Sequence, residues 1–533
     1  MKLALLSALL AITAGATPPN EQLHELVDTG VLSDLRWPDF SHIQPDVRRF
    51  YESNGYQPAW VRARSATPQA RAIIYTLQNA PLKGLDAEDY DGSRWNGRLL
   101  GLRTESDALR FDLALTVSVM RYISDVSSGK VDPAVFSFGL HFDQKKCDLS
   151  ETLAALANAT DVAADLNRLE PPFEGYWRAQ KALAQYLTIA RENTGPPLTQ
   201  ADPAGLPKVE RLLRLVGDLG PNDALLDGVK RFQIRHGLDP DGRIGKETLK
   251  QLNTPLPQRV RQLQLVLERW RWVPHSFARP PIVVNIPEFR LRAYDQQYRP
   301  ELEMKVVVGK AYRHKTPVFS SEMTHLIFRP YWDVPLSIQR AELVPKIVKD
   351  PAYLAENDYE IVDSRRQLIS TSAVSADMLA QLRSGKLFIR QVPGEKNALG
   401  LVKFLFPNEY NVYLHSTPAK SLFLRSRRDF SHGCIRVEKP EELAQWVLRG
   451  VPGWDMDHIQ EAEHGVDSER VNLDKPIPVL IVYGTAVVRA DEEVFFFDDI
   501  YGYDAALAQL LDHGYPYSGW QPTSGARDLR PRE

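Results

Sequence analysis

Two neighbouring segments hold side chains able to do covalent chemistry. Asn411-Val412-Tyr413-Leu414-His415-Ser416-Thr417-Pro418 carries an imidazole, and Ser431-His432-Gly433-Cys434-Ile435-Arg436-Val437 carries one of two cysteines, the other being Cys147. A free thiol is only a few per cent ionised at neutral pH, so a nucleophilic cysteine needs a base or local positive charge. His415 and His432 are candidate bases. From Arg383 to Arg436, ten Lys/Arg stand against three acidic residues, in a chain whose net charge is −3. If those cations gather in space, they favour a thiolate and attract a substrate bearing carboxylates; if they do not, they form a solvated face with no part in the chemistry. The backbone N–H groups of His432, Gly433 and Cys434 are candidate donors to the oxyanion of an acyl-transfer intermediate, and a glycine lets the chain approach a substrate closely. His415, His432 and Cys434 could instead supply three ligands of a catalytic zinc, although no HExxH or comparable motif accompanies them.

These groups need elements to position them. Strand alternation puts Tyr413 and His415 on one face, and Pro418 stops the ladder. Pro440 suits the first position of a helix whose opening turn holds Glu441 and Glu442, so Cys434 falls on a connecting loop between strand and helix. Short β-rich runs at 282–286, 289–294, 304–308, 387–390 and 412–415 follow a helix over 258–272. A mixed stretch over 331–385, helical at 338–349 and 375–382, interrupts them, as an insertion capping a cleft or an elaborated edge of the core.

Upstream, spaced apolar positions at 70–77, 111–123, 153–169 and 176–189 predict packing helices, and the Pro/Gly-bearing stretch 194–203 marks a linker. With 43% hydrophobic and 25% charged residues, the composition excludes wholesale disorder, and the near-neutral charge gives no reason to propose a nucleic-acid partner. Met1-Lys2, an apolar run to Ile12 and Ala14-Gly15-Ala16 have the three regions of a signal peptide, so export to the periplasm is expected, with no integral membrane segment after cleavage. Two cysteines are too few for a disulfide framework.

Between 206 and 255, two helical runs, a turn at Asp239-Pro240-Asp241-Gly242 and a third helix from Gly245 resemble the three-helix peptidoglycan-binding module of bacterial wall enzymes. The resemblance rests on Phe232-Gln233, His236-Gly237-Leu238, Asp241-Gly242, Gly245 and Thr248-Leu249. A calcium loop is set aside, because its first and last ligand positions are Gly237 and Thr248.

His415, fifteen residues, then Ser431-His432-Gly433-Cys434 resemble the signature of L,D-transpeptidases with a YkuD-type catalytic domain. Val308-Gly309-Lys310, Thr316-Pro317-Val318-Phe319, Pro330-Tyr331-Trp332-Asp333-Val334-Pro335, Pro393 through Gly400 and Phe404-Leu405-Phe406-Pro407-Asn408 follow that pattern in order. The whole arrangement is similar to the large YcbB-like subgroup. It implies a multidomain α+β chain: signal peptide 1–16, helical scaffold 17–204, peptidoglycan-binding module 205–256, a mainly β catalytic domain 257–512 with a capping insertion at about 331–385, and a tail 513–533.

The resemblance further implies that Cys434 is the nucleophile, His415 its base and Ser416 the group that orients His415 through its backbone carbonyl, with His432 and Gly433 completing the catalytic turn. Tyr413, Arg436 and Trp332 are the implied substrate contacts; Arg436 stands where many members carry Asn. The implied reaction forms 3-3 cross-links between peptidoglycan stems through a thioester, with L,D-carboxypeptidase trimming as the alternative. A zinc-dependent hydrolase or a non-catalytic wall-binding protein are the remaining readings. No cofactor or metal is expected in the transpeptidase reading, the partners are stem peptides and glycan, and carbapenems are expected to acylate Cys434.

Overall fold

In the computed structural model, residues 19–140, 147–192, 197–199, 205–312 and 314–514 are described; the expected signal peptide and, beyond Gly514, the expected tail lie outside them. They fall into two compact units. The first comprises residues 19–131, 147–172 and 509–514 and is built around the helix Glu105–Ser128. Thr104 opens this helix by accepting from the Asp107 N–H at 3.1 Å, Asp107 returns the bond to the Thr104 N–H, and Gly129 at φ +84° ends it. Its middle is buried on every side, as a central helix must be. Asp112 is drawn into that core because it caps three donors: the Tyr51 hydroxyl at 2.7 Å, Ala59 N at 3.0 Å and Trp60 N at 2.6 Å. Burial pushes its carboxyl up to about 6 despite those bonds.

The second unit comprises 132–140, 173–192, 197–199, 205–312 and 314–508. It therefore begins inside the stretch expected to be scaffold. The helix Glu174–Ile189 places Tyr176, Leu183 and Tyr186 in one core with Leu263 and Leu267 of the helix Leu256–Arg271, a tertiary choice that periodicity cannot reveal. Within this unit, the helices Gly205–Leu215, Leu225–Arg235 and Lys246–Leu252 share a small core of Val209, Leu213, Val229, Phe232 and Leu252. The motif residues here form a hydrogen-bonded knot. The buried Gln233 amide donates to Asp241 at 2.8 Å, the Arg243 carbonyl at 3.0 Å and Thr248 at 3.1 Å, and accepts from Gly242 N at 2.8 Å.

The rest of the unit centres on a closed barrel. Pro300–Gly309, Ile435–Val437, Leu414–His415, Val402–Leu405, Phe319–Phe328, Glu469–Val482, Ile282–Asn285 and Arg290–Tyr294 pair in that order, and the last returns to the first. Asp429–Ser431 adds in parallel at the end of Pro300–Gly309. Leu326, Phe328, Phe404, Leu414 and Ile435, all fully buried, lie on one face of neighbouring strands and form part of the core.

Between Phe328 and Val402 the chain leaves the barrel for a subdomain with its own core of Leu343, Val344, Ile347, Leu354, Ile361, Leu382 and Ile389. Its sheet runs Trp332–Asp333, Phe388–Gln391, Tyr359–Val362, Leu368–Ser370. The insertion thus reaches past 385: the run at 387–390 is a strand, as its alternation predicts, but it belongs to this sheet, which local pattern cannot specify. Asn397 knits the base, donating to the carbonyls of Pro330 at 3.0 Å and Val392 at 2.9 Å and accepting from Leu399 N at 2.8 Å. Among the described residues, no helix is long and apolar enough to cross a membrane.

Candidate active site

Register assembles the site. His415 pairs antiparallel with Lys403 and parallel with Arg436, so three nitrogen-bearing side chains form one row across three strands. Phe404, Leu414 and Ile435 form the next row, on the opposite, buried face. One residue beyond, Ile435 N donates to Tyr413 O at 3.1 Å, which brings Tyr413 beside Cys434 on the same face as His415.

His415 is 4% exposed, and its Nδ1 lies 2.5 Å from the Ser416 carbonyl. A carbonyl only accepts, so Nδ1 carries the proton and Nε2 presents a lone pair. Burial, then the Arg436 charge, drive the ring down to about 3, against the carbonyls of Ser416 and Leu399; Lys403 adds to the depression. The imidazole is therefore uncharged at neutral pH. Gly400 makes this anchor possible. At φ +65°, a Cβ there would lie 2.5 Å from that of Ser416, so only glycine lets the turn pack on the carbonyl-bearing residue.

Cys434 is partly buried, its Sγ 3.7 Å from the Asn411 carbonyl. Burial raises the thiol above its ordinary value; the Tyr413 N–H and hydroxyl, Arg436 and Lys403 all oppose this without reversing it. The resting pair is thus a neutral thiol and a neutral imidazole. Part of the basic run is engaged elsewhere, and part of it stands at the site. Arg427 pairs with Asp429, Arg390 with Glu360, and Arg428 spends its donors on the carbonyls of Phe289, Arg425, Ser426 and Val306. Lys403 and Arg436 act on the sulfur as cations, and the Arg436 Nε is buried without a hydrogen-bond partner among the described residues.

The turn before Cys434 is held from both sides. Thr316, fully buried, donates to the Gly433 carbonyl at 2.8 Å and accepts from Gly309 N at 2.9 Å. Ser431 donates to the Cys434 carbonyl at 2.5 Å and accepts from Gly433 N at 3.1 Å. Gly433 adopts φ +120°, a glycine conformation. Of the three expected oxyanion donors, the Gly433 N–H is therefore already engaged by the Ser431 hydroxyl. The N–H groups of His432 and Cys434 have no backbone hydrogen bond among the described residues.

His432 is engaged elsewhere than at the thiol: its Nε2 lies 2.6 Å from Glu342 of the insertion, and its ring is 4.8 Å from that of His314. Trp332 packs against the insertion's core, its ring 6.3 Å from Tyr359. Lys403, Thr316, Gly400 and Glu342 escaped the sequence reading as site residues. The first three sit in the quoted motif segments or the basic tally, and only pairing and packing reveal their roles; Glu342 carries no local signal at all. Among the described residues, no group of three or more His, Cys, Asp or Glu side chains is arranged to hold a metal ion. Both cysteines are free.

Residues 279–456 match the family model of the L,D-transpeptidase catalytic domain, and residues 45–183 that of a scaffold domain. A Haemophilus influenzae protein whose name places it provisionally among the L,D-transpeptidases is 30% identical over 298 residues, 54% of this chain. The match spans 56% of that relative's length, so the chain covers about half of the curated protein it resembles.

Proposed function

We propose, from the premise that residues 279–456 belong to the L,D-transpeptidase catalytic domain family, that this chain acylates Cys434 with a peptidoglycan stem and passes the acyl group to the amine of a second stem. The observation that carries the reading is the shared face of Tyr413, His415, Cys434 and Arg436, set by the parallel register of two short strands. The donor is a tetrapeptide stem with diaminopimelate at its third position. The Cys434 sulfur attacks the carbonyl of that residue while its proton passes to Nε2 of His415, which starts neutral and can accept it. The C–S bond forms, the amide bond to the terminal D-alanine breaks, and the proton on His415 goes to the departing amine.

Because burial disfavours both the thiolate and the imidazolium, the proton moves as the C–S bond forms rather than in a resting ion pair. The N–H groups of Cys434 and His432 receive the oxyanion; that of Gly433 joins them only if the Ser431 hydroxyl turns away. Arg436 and Lys403 supply charge for a substrate carboxylate. In the second half-reaction an amine gives a 3-3 cross-link, whereas water gives a tripeptide, so transpeptidation and L,D-carboxypeptidation share every catalytic group.

The chain acts in the periplasm after export, residues 205–256 bind the wall, and carbapenems acylate the same sulfur. Incubation with defined disaccharide tetrapeptides, with products separated by mass, tests the reading. Cross-linked dimer is expected; tripeptide alone would make the enzyme a carboxypeptidase, and unchanged substrate would overturn the proposal.

A further inference from the structure

We infer that Glu342 is a positioning residue: its pairing with His432 latches the insertion onto the catalytic turn and sets how the acyl-enzyme divides between amine and water. The inference rests on the thioester reading above and adds a device to it. Glu342 Oε1 lies 2.6 Å from His432 Nε2, within the length of a strong, charge-assisted hydrogen bond. His432 immediately precedes Gly433-Cys434, and the Gly433 carbonyl is fixed by Thr316, so the latch grips a part of the turn that is itself rigid.

At the other end, Glu342 belongs to a π-helical turn, Gln339–Leu343, wedged between the helices Leu336–Ile338 and Val344–Lys349. Such turns break the α-helical spacing and redirect side chains. This one is pinned inside the insertion. The fully buried Gln339 donates to the carbonyls of Leu382 at 2.8 Å and Leu387 at 3.1 Å, and accepts from Ile389 N at 2.8 Å. One residue pair thus joins the insertion's core to the residue next to the nucleophile but one.

The latch is built to open. The His432 and Glu342 side chains are 29% and 42% exposed, so parting them leaves no buried unpaired charge. Opening matters most while the thioester stands. Water adds its oxygen to the thioester carbonyl, the C–S bond breaks, and the sulfur regains a proton with release of the tripeptide acid. An acceptor amine instead forms a C–N bond, with the same C–S cleavage and proton return. A closed insertion lowers access for water without altering either step.

The test uses the full chain and Glu342→Ala, Glu342→Gln and His432→Ala variants, with hydrogen–deuterium exchange over 336–349 and the dimer-to-tripeptide ratio from disaccharide tetrapeptides. Glu342→Ala should raise exchange across 336–349 and lower the ratio about tenfold. Glu342→Gln, which keeps an acceptor for His432, should recover part of that loss, and in a His432→Ala background, which has no donor for the carboxylate, Glu342→Ala should add no further change. Unchanged exchange and ratio in Glu342→Ala, or an equal further loss in the His432→Ala background, would overturn the latch. Exchange does not depend on catalysis, so its failure condemns the latch alone, whereas failure of the unaltered protein to acylate at Cys434 condemns the thioester reading.

Discussion

His415 and Arg436 are register partners in adjacent parallel strands, and after burial the guanidinium is the strongest influence holding the imidazole uncharged. The same guanidinium pulls the Cys434 thiol down against burial. One charge therefore acts on base and nucleophile in the same direction, lowering both.

A pH consequence follows directly. With His415 held down to about 3, the base is already neutral across pH 5 to 8, and carbapenem acylation of Cys434 should show no inflection near the usual imidazole value of about 6.5 in that range. Arg436→Gln should move the acid limb upward, because it removes a charge that disfavours imidazolium, and should move the thiol upward too. Stopped-flow acylation from pH 4 to 10 should show the unaltered protein on its plateau at the acid end, its His415 limb lying below that range, and should catch any acid limb that Arg436→Gln raises into it; a wild-type inflection between pH 6 and 7 attributable to His415 would contradict the electrostatics.

Gly400→Ala should damage catalysis far more than folding. Its Cβ would collide with Ser416, displacing the carbonyl that holds His415. A shift of an ångström at a reacting group can reduce rate about 100-fold, whereas strain from a left-handed alanine is about 1–2 kcal/mol. Acylation kinetics compared with thermal unfolding would separate the two effects.

Thr316→Val keeps shape but removes the hydroxyl that ties Gly433 O to Gly309 N. Loss of a fixed catalytic turn should slow acylation at least about tenfold, and Thr316→Ser should restore much of it, since the hydroxyl rather than the methyl makes both bonds. Equal rates in Thr316→Val and the unaltered protein would show that the turn holds itself.

In the helical unit, Asp112→Ala would strand the N–H groups of Ala59 and Trp60 and leave the Tyr51 hydroxyl with Thr116 alone, 2.7 Å away. Two buried donors without partners should cost about 2 kcal/mol or more. Asp112→Asn, which retains an acceptor oxygen, should cost less. Denaturant unfolding followed by far-ultraviolet circular dichroism provides the comparison.

What the sequence disclosed depended on how local the information was. Tyr413 and His415 share a face because strands alternate, which is legible without partners; Cys434 does lie on a turn, but between the strands Asp429–Ser431 and Ile435–Val437 rather than between strand and helix, because pairing makes a strand of the three residues after it. Lys403 was visible only as one basic residue among ten, since its place beside His415 comes from antiparallel pairing. Charge counting leaves a thiolate as one outcome and cannot weigh burial, which outdoes the Arg436 and Lys403 charges at the sulfur, nor tell that Arg427 and Arg390 meet carboxylates and Arg428 meets carbonyls. Barrel closure through Arg290–Tyr294 and Pro300–Gly309, and the transfer of Phe388–Gln391 to the insertion's sheet, are likewise choices of partner that periodicity leaves open. Glu342 sits in a π-helical turn that no spacing rule foretells.

Intact-mass spectrometry of the protein quenched during turnover of a disaccharide tetrapeptide tests the central claim most directly. The account predicts an adduct equal to the substrate less one D-alanine, mapped by peptide digestion to Cys434, absent in Cys434→Ala and formed at least about 100-fold more slowly in His415→Ala. An adduct on another residue, or stem-peptide turnover by Cys434→Ala, would contradict it.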